Sequence, residues 1–243
     1  MKFYLKKAYF YYHRQMFFPG WLAILVNPFY FARKGLLSGI QELAPKLSGR
    51  LLDVGCGTKP YETLFSVTEY VGLDIDSEES RKRSIADHLY DGKKFPFADE
   101  SFDSILCNQV LEHVFNPGEF MSEILRVLKP GGKLLLTVPF VWDEHEQPFD
   151  YARYSSFGLH DLLEKHGFKI VKYKKLGADI SIVFQLVNTY LFKILQGIPR
   201  SLNIFMTITF MAFINLAGLL AARLLPDNPD LFLDHIVLAE KIR

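Results

Sequence analysis

One stretch of the chain constrains its fold more than any other, and it spans residues 51–60, with the sequence Leu-Leu-Asp-Val-Gly-Cys-Gly-Thr-Lys-Pro. Two leucines, an acid and a valine predict a buried strand that ends in a tight glycine turn. Thr58 can cap a following helix, and Pro60 suits the first turn of that helix. A strand, a glycine turn and a helix N-terminus can cradle a nucleotide, because glycine lets a ligand approach the backbone and the helix end offers unbonded N–H groups. The alternative is an ordinary strand-to-helix turn that needs a positive φ.

A second acid lies where a nucleoside would need it. The next apolar run, residues 70–74, ends in Asp74, about 20 residues after Asp53. That spacing places a carboxylate at the tip of the neighbouring strand, where it can hold ribose hydroxyls. Pro60 stands where the dinucleotide fingerprint has its third glycine, which belongs with a pyrophosphate-binding turn. The pattern therefore favours a nucleoside cofactor without a pyrophosphate.

Strands and helices alternate along the chain as far as residue 176. The predicted strands are residues 51–54, 70–74, 85–86, 102–107, 133–138, 168–176 and 235–242, and helices are predicted at 36–47 and 60–66. This alternation predicts an α/β fold with a doubly wound, mostly parallel, seven-stranded sheet covered by helices on both faces. In such sheets ligands bind beyond the carboxyl ends of the strands. The residues predicted at those ends are Asp53–Gly57, Asp74, Asp87 and Asn108.

The overall composition excludes some classes of protein. A chain of 243 residues can form one sizeable α/β domain with its own core. Its net charge of +1 gives no strong electrostatic footprint for nucleic acid. Cys56 and Cys107 have neither the spacing of metal ligands nor a catalytic partner in sequence. We therefore expect reduced thiols in a cytoplasmic protein, no disulfide and no metal site.

The first 35 residues are predicted to form an aromatic and basic extension. They hold 12 aromatic residues, and six basic residues precede the first acid, Glu42. A segment of this kind suits the anionic surface of a membrane. A secretory signal is not expected, because Pro19 and Gly20 break the apolar stretch and no small-residue cleavage site follows. The alternative is a lid or packing helix over the substrate cleft.

A hydrophobic insertion, residues 177–230, precedes the last strand of the remaining domain, residues 36–243. Residues 180–198 are apolar apart from Lys193 and a few amides, and residues 201–222 carry no charge. The second run is long enough for a membrane helix of about 20 residues. An exposed apolar surface of this size requires a partner.

A single crossing of the membrane is not expected from this insertion, because the final strand must rejoin the same sheet. Two helices folded back at Pro199 would keep both ends together. One possibility is peripheral membrane contact through residues 1–35 and 177–225, as a hairpin or an in-plane pair. The other is a hydrophobic lid or an oligomer interface.

Five motifs occur in a set order along the central part of the chain. They are Asp53-Val-Gly-Cys-Gly57, Val71-Gly-Leu-Asp74, Phe95-Pro-Phe-Ala-Asp-Glu-Ser-Phe-Asp103, Gln109-Val-Leu-Glu-His113 and Arg126-Val-Leu-Lys-Pro-Gly-Gly132. In this order they resemble class I S-adenosylmethionine-dependent methyltransferases, most closely the subgroup called type 11. The resemblance covers residues 45–176 and the last strand, and it implies a Rossmann-like methyltransferase sheet with S-adenosylmethionine as cofactor.

The resemblance also implies a role for each matching residue. The implied cofactor-binding residues are Asp53, Gly55, Cys56, Gly57, Asp74, Ile75, Asp87, Asn108 and Gln109. The glycines would let the backbone approach the cofactor, and Asp53 would lie near the methionine ammonium. Asp74 would bind the ribose, and Asp87, with Asp91 close behind it, would meet the adenine amino group beside Ile75. Asn108 and Gln109 would lie beneath the methionine portion, and Lys59 replaces the third glycine of the family's loop.

Methyl transfer from a sulfonium is an in-line displacement, so the protein mainly orients donor and acceptor about 3 Å apart. A general base is needed only if the acceptor keeps its proton at neutral pH, as a hydroxyl does. His145, in the polar loop after the fifth strand, is the best candidate because imidazole exchanges protons near neutral pH. Arg153 could clamp a carboxylate or phosphate of the acceptor. The alternatives are a surface histidine and a salt bridge between Arg153 and Asp150.

Three classes of function follow from these residues. The first is a methyltransferase that acts on a small or lipid-linked acceptor, such as a polyprenyl-linked sugar, a lipid or a quinone-like molecule, in the cytoplasm or at the inner face of the cell membrane. The second is a non-catalytic, cofactor-binding scaffold at a membrane. The third is an NAD-dependent oxidoreductase, which the missing glycine disfavours.

Overall fold

The structure, a computed structural model, describes residues 11–242, without the side chain of Arg200. The chain divides into two compact units. The first, which we call the sheet unit, comprises Gly39–Phe140, Glu144–Lys174 and His235–Arg243. The second, the helical unit, comprises Met1–Ser38, Val141–Asp143 and Lys175–Asp234. Residues 1–10 of the predicted aromatic extension lie outside the described residues.

A single sheet organises the fold. Its strands are β1 (Arg50–Val54), β2 (Glu69–Ile75), β3 (His88–Tyr90), β4 (Phe102–Asn108), β5 (Leu128–Pro139), β6 (Phe168–Leu176) and β7 (Asp234–Lys241). Their order across the sheet is β3-β2-β1-β4-β5-β7-β6. β1 pairs in parallel with β2 and β4, β2 with β3, and β4 with β5. The predicted seven-stranded α/β fold is confirmed, and the strand order reverses between β1 and β4, where such sheets bind ligands.

Helices flank the sheet and fill the predicted insertion. They are α1 (Ala23–Val26), α2 (Tyr30–Leu43), α3 (Glu78–Arg83), α4 (Pro117–Val127), α5 (Ser156–Lys165), α6 (Ser181–Ile194), α7 (Arg200–Met206) and α8 (Ala212–Leu224). A π-helical stretch, Thr207–Met211, joins α7 to α8. Residues 11–17 are helical as well. The insertion thus contains two long helical segments that meet at residues 195–199, where Pro199 precedes the second segment as predicted.

The sheet unit has an apolar core. Leu52 and Val54 of β1 and Ile105 of β4 are fully buried, as expected for parallel strands covered on both faces. Ile124 of α4 and Leu163 of α5 are also fully buried and join the same cluster. Burial of each such side chain stabilises the fold by about 1.5–3 kcal/mol.

Two predictions about individual elements were wrong. The third strand is His88–Tyr90, not residues 85–86, so Asp87 precedes this strand and does not lie at its carboxyl end. The two-residue apolar pair gave a weaker strand signal than the alternating residues that follow it. The glycine turn leads into a 3-10 turn, Glu62–Leu64, and not into an α-helix over residues 60–66. The cradle therefore consists of the turn backbone, without a helix N-terminus.

Two helices of the helical unit, α6 and α8, bury several polar side chains, although the unit also has a small apolar cluster that includes Phe31, Ile182 and Leu233. The buried side chains of α6 and α8 include Gln185, Asn188, Thr189 and Asn215, each at most 3% exposed. The exposed side chains of the same helices include Val183, Val187, Tyr190 and Ile194 in α6 and Phe213, Leu216, Leu220 and Leu224 in α8. Both helices therefore turn polar groups inward and apolar groups outward.

Hydrogen bonds join the buried amides into what we call the polar seam, Gln185, Asn188, Thr189 and Asn215. Asn188 Nδ2 donates to Asn215 Oδ1 over 2.8 Å, and Asn215 Nδ2 donates to the Asn27 carbonyl over 3.1 Å. Gln185 Oε1 accepts from the backbone N–H of Phe31 at 3.1 Å. These bonds satisfy most of the seam's polar atoms, which would be costly to bury alone, although Asn188 Oδ1 has no hydrogen-bond partner among the described residues.

Candidate functional site

The glycine turn lies at the carboxyl end of β1. Gly55 and Gly57 have φ values of 69° and 50°, a left-handed conformation that favours glycine. The backbone N–H groups of Gly55 and Cys56 donate to the Leu73 carbonyl of β2 at 2.8 and 3.1 Å. A Cβ on Gly55 would lie only 2.4 Å from Val110, so this position requires glycine. The predicted turn is present, and its register against β2 is held by hydrogen bonds.

Lys59, which stands where the family's loop has its third glycine, has a left-handed backbone conformation. Its φ is 50°, and its ammonium lies 2.5 Å from Asp87 Oδ2. Asp87 Oδ2 also accepts the backbone N–H of Gly72 at 2.6 Å. Asp87 is therefore bound alongside the middle of β2, whereas Asp91 directly follows the end of β3. The acid at the tip of the third strand is Asp91, which the short strand made hard to distinguish from Asp87 in the sequence.

Asp53 is almost fully buried in β1, at 3% exposure. Its Oδ2 accepts a hydrogen bond from the Tyr70 hydroxyl at 2.7 Å. Burial raises the pKa of Asp53 to about 7, although the Tyr70 hydroxyl and the nearby Lys59 ammonium lower it. Asp53 therefore takes up a proton at a higher pH than an exposed aspartate does.

The tips of β2 and β4 carry the other predicted cofactor residues. Asp74 Oδ1 accepts the backbone N–H of Ile75 at 2.9 Å at the end of β2. Asn108 Oδ1 accepts the Thr137 hydroxyl at 2.8 Å at the end of β4. Gln109 has a φ of 57°, unusual for a residue with a side chain, and its backbone N–H donates to the Thr137 carbonyl at 3.0 Å. Strained backbone of this kind concentrates at binding sites.

Neither cysteine is a reactive group. Cys56 and Cys107 are both buried and both unoxidised, as predicted. Burial, with a smaller effect from Asp53, raises the pKa of the Cys56 thiol to about 12. Burial also raises the pKa of Cys107 well above its usual value. Both thiols therefore stay protonated at neutral pH and act as small apolar side chains.

The loop after β5 brings His145, Asp150 and Arg153 together. Arg153 donates to both carboxylate oxygens of Asp150, at 2.6 and 2.7 Å. The His145 backbone N–H donates to Asp150 Oδ2 at 3.0 Å, and its Nδ1 lies 3.3 Å from the same oxygen. Burial would raise the pKa of Asp150, but the bonds from Arg153 and His145 lower it to about 2. Arg153 forms the salt bridge that was the alternative to its predicted clamp role.

The structure adds His113 to this loop cluster. His113 lies in a 3-10 turn, Leu111–His113, that follows β4, and its ring packs edge-on against His145 with centroids 4.7 Å apart. Its Nδ1 lies 2.8 Å from the carbonyl oxygen of Phe149. The sequence indicated both histidines separately, but nothing in the spacing signalled that they meet.

The chain matches a known family over most of the sheet unit. The sequence model of the methyltransferase-domain family matches residues 29–173, which is more than half of the chain. The chain therefore belongs to this family and is an S-adenosylmethionine-dependent methyltransferase, as the five motifs predicted. This membership favours methyl transfer over the scaffold and oxidoreductase alternatives.

Two relatives and one solved structure show what the chain is similar to. The chain is 31% identical over 153 residues to an uncharacterised protein of Methanocaldococcus jannaschii, which covers 57% of this chain and 73% of that one. It is 31% identical over 144 residues to a probable S-adenosylmethionine-dependent methyltransferase of Mycolicibacterium smegmatis, over 54% of this chain and 56% of the relative. The chain thus spans about half the length of the second relative. The crystal structure of the cyclase SpnF has the same fold, with a TM-score of 0.58 and 22% identity over 87% of this chain and 82% of that one.

Proposed function

We propose that this methyltransferase acts at the cytoplasmic face of a membrane, on a lipid-linked or otherwise membrane-borne acceptor. The observation that carries this proposal is that α6 and α8 bury amide side chains and expose large apolar ones. The cofactor-binding residues lie within the sheet unit, and the membrane-binding surface lies within the helical unit. The two parts of the proposal therefore rest on separate residues and can be tested separately.

The residues at the strand tips fit S-adenosylmethionine. A Cβ on Gly57 would meet only Arg83, at 3.6 Å, so the backbone of the turn is open to a ligand. The Asp74 carboxylate at the tip of β2 suits the ribose hydroxyls, and Asp91 at the tip of β3 suits the adenine amino group. Gln109 would support the methionine portion. The bound cofactor supplies an already activated methyl group, so the chain mainly positions and shields the reacting atoms.

The helical unit has the properties of a segment that contacts lipid. Among the described residues, Ser201–Leu224, of 24 residues, is one helix that is long and apolar enough to cross a membrane, with a mean hydropathy of 2.1 over its most apolar 18-residue window. Only 28% of its most apolar window is buried, so it is not the core helix of a globular domain. Lipid would cover its exposed side chains and leave the polar seam inside.

The described part of the N-terminal extension adds aromatic and basic groups to the same unit. Trp21 is 74% exposed, and Tyr11 and Tyr12 are 46% and 44% exposed. The Arg33 guanidinium lies 4.9 Å from the centre of the Phe17 ring. Exposed aromatic residues and basic residues are typical of the membrane–water interface, where the rings and the cations meet lipid headgroups. This composition supports a peripheral hairpin and not an exposed soluble lid.

Flotation with liposomes tests the membrane part of the proposal. The full-length protein should float with liposomes that contain anionic lipid, and less completely with zwitterionic liposomes, because of the basic groups. Incubation of those liposomes with labelled S-adenosylmethionine and a lipid extract of the source organism should place the label in the lipid phase. A protein that stays at the bottom of the gradient and labels only water-soluble metabolites would contradict the proposal.

Calorimetry with S-adenosylmethionine tests the cofactor part. Asp74→Ala should weaken binding at least about tenfold, because hydrogen bonds to a charged group contribute about 1.5–3 kcal/mol. Asp76→Ala is the matched control, since this neighbouring acid pairs with Arg81 on the surface. Equal affinities for Asp74→Ala and the control would show that the ribose is bound elsewhere.

A further inference from the structure

Three potential metal ligands meet in the loops that follow β4 and β5. One donor atom from each of Glu112, His113 and His145 lies within 4.8 Å of the other two. Nε2 of His113 is 3.9 Å from Oε1 of Glu112 and also 3.9 Å from Oε2 of Glu146. We propose that Glu112, His113 and His145 bind a divalent transition-metal ion, with Zn²⁺ the best chemical match.

The outer sides of both imidazole rings are held as in metal sites. His113 Nδ1 lies 2.8 Å from the Phe149 carbonyl oxygen, and His145 Nδ1 lies 3.3 Å from Asp150 Oδ2. A metal-binding histidine usually donates its other ring N–H to a carbonyl or a carboxylate, which fixes the ring and its tautomer. His113 would therefore coordinate through Nε2. Arg153 Nη2 lies 3.5 Å from His145 Nδ1 as a hydrogen-bond donor, so coordination by His145 Nε2 requires that Nδ1 carry its proton and donate it to Asp150 instead.

Backbone hydrogen bonds hold the two loops against each other. The N–H groups of Tyr151 and Ala152 donate to the Glu112 carbonyl at 2.8 and 3.2 Å. The fold therefore holds the two loops together, so the backbone positions of the ligand residues are fixed relative to one another. A site on fixed backbone loses less entropy when it captures an ion.

The set of donors selects the class of ion. Two imidazoles and one carboxylate suit Zn²⁺ and related transition metals better than Mg²⁺ or Ca²⁺, which prefer oxygen ligands. Ligands about 2 Å from a tetrahedral ion lie about 3.3 Å from one another, so side-chain rotations would have to bring together donor atoms that now lie within 4.8 Å of one another. The Glu112 side chain is fully buried. Three protein ligands leave a coordination position for Glu146, water or an acceptor oxygen.

This site changes the role predicted for His145. An imidazole that coordinates a metal through Nε2 and holds a carboxylate through Nδ1 cannot also serve as a general base. The sequence predicted no metal site, because the Glu112-His113 pair and His145 are far apart in the chain and only the fold joins them. The proposal does not depend on the acceptor or on membrane binding.

Metal titration of the full-length protein tests the site directly. Chelator-treated protein should bind one Co²⁺, detected by its visible absorption, and Zn²⁺ should displace the Co²⁺. His113→Ala and His145→Ala should each weaken binding at least about tenfold, and Asp150→Asn by about 10–100-fold through loss of ligand orientation. His166→Ala is the matched control, because this partly buried histidine bonds to the Leu162 carbonyl outside the cluster.

The outcomes separate this proposal from a structural role of the same residues. Circular dichroism of each variant without metal checks the fold. A third ligand variant, Glu112→Gln, is tested in the same way, and if it fails to fold the two histidine variants decide the matter. Wild-type protein that binds no Co²⁺, or variants that bind it as tightly and with the same spectrum as wild type, would overturn the proposal. Failure of methyl transfer or of flotation would leave the metal titration unaffected.

Discussion

The core of the sheet unit differs from the buried faces of α6 and α8 in the kinds of side chain that it contains. In the sheet unit, Leu52, Ile105 and Leu134 are fully buried in an apolar core. In the helical unit, Asn188 and Asn215 are buried and hydrogen-bonded, while large apolar side chains of the same helices are exposed. The sheet unit follows the usual rule for a water-exposed globular core, and α6 and α8 depart from it. Under the function proposed above, lipid would cover the exposed apolar side chains of these helices.

Charges on the apolar face of α8 should have the largest effect. Phe213→Asp together with Leu220→Asp should abolish flotation with liposomes, because each Asp at the centre of a membrane helix costs about 2.5–3.5 kcal/mol. The two costs together lower partitioning by at least about 100-fold. Phe157→Asp is the control, since Phe157 is 87% exposed on α5 of the sheet unit. This variant should float as the wild-type protein does. Flotation that survives the double substitution would mean that this face does not meet lipid.

Truncation of a buried residue in the sheet unit should have the next largest effect, and it should distinguish the stability of the two units. Ile105→Ala should lower the unfolding free energy of the sheet unit by about 2–5 kcal/mol, because the residue is fully buried and its loss leaves a cavity. Leu220→Ala, at 59% exposure in the helical unit, should change stability in detergent by less than about 0.5 kcal/mol. Hydrogen exchange of the amides in each unit measures both effects. Similar costs at the two positions would contradict the difference between the units.

The pH dependence of stability should also differ between the units. Burial raises the pKa of Asp53 to about 7, whereas an unfolded Asp titrates near about 3.9. The folded state therefore binds more protons than the unfolded state between those values, so the unfolding free energy falls as pH rises through this window and levels off above it. In the Asp53→Asn variant, the fall in unfolding free energy over this pH window should be smaller by about 2–4 kcal/mol. The polar seam contains only amides and a hydroxyl, so its exchange protection should not change over the same range.

Disruption of the polar seam should have the smallest effect. Asn188→Leu should lower the stability of the helical unit in detergent by about 1–2 kcal/mol, because it leaves the Asn215 carbonyl oxygen without its donor. Val187→Leu, on the exposed side of the same helix, should be neutral. Thermal unfolding in detergent compares the two. A more stable Asn188→Leu variant would show that the seam serves a purpose other than stability.

Much of the fold and part of the site could be predicted from the sequence. The glycine turn, Asp74 and Asn108 lie at the carboxyl ends of β1, β2 and β4, as predicted from strand endings. Asp87 was placed at the wrong end of the third strand, because three residues carry too little periodicity to set a boundary. The π-helical link in the insertion was not predicted either, since nothing in its composition distinguishes it from α-helix.

The chain by itself determined the order of strands and helices, the glycine turn and the family, because turn chemistry and hydrophobic periodicity depend on residues that are near one another in sequence. Only the tertiary structure decided that the ring of His113 packs against that of His145 and that Asp87 binds Gly72 and Lys59. It also decided that amide side chains lie on the buried faces of the apolar helices. These contacts join residues far apart along the chain. Their geometry depends on how the sheet and the helices pack, and local propensity carries no record of that packing.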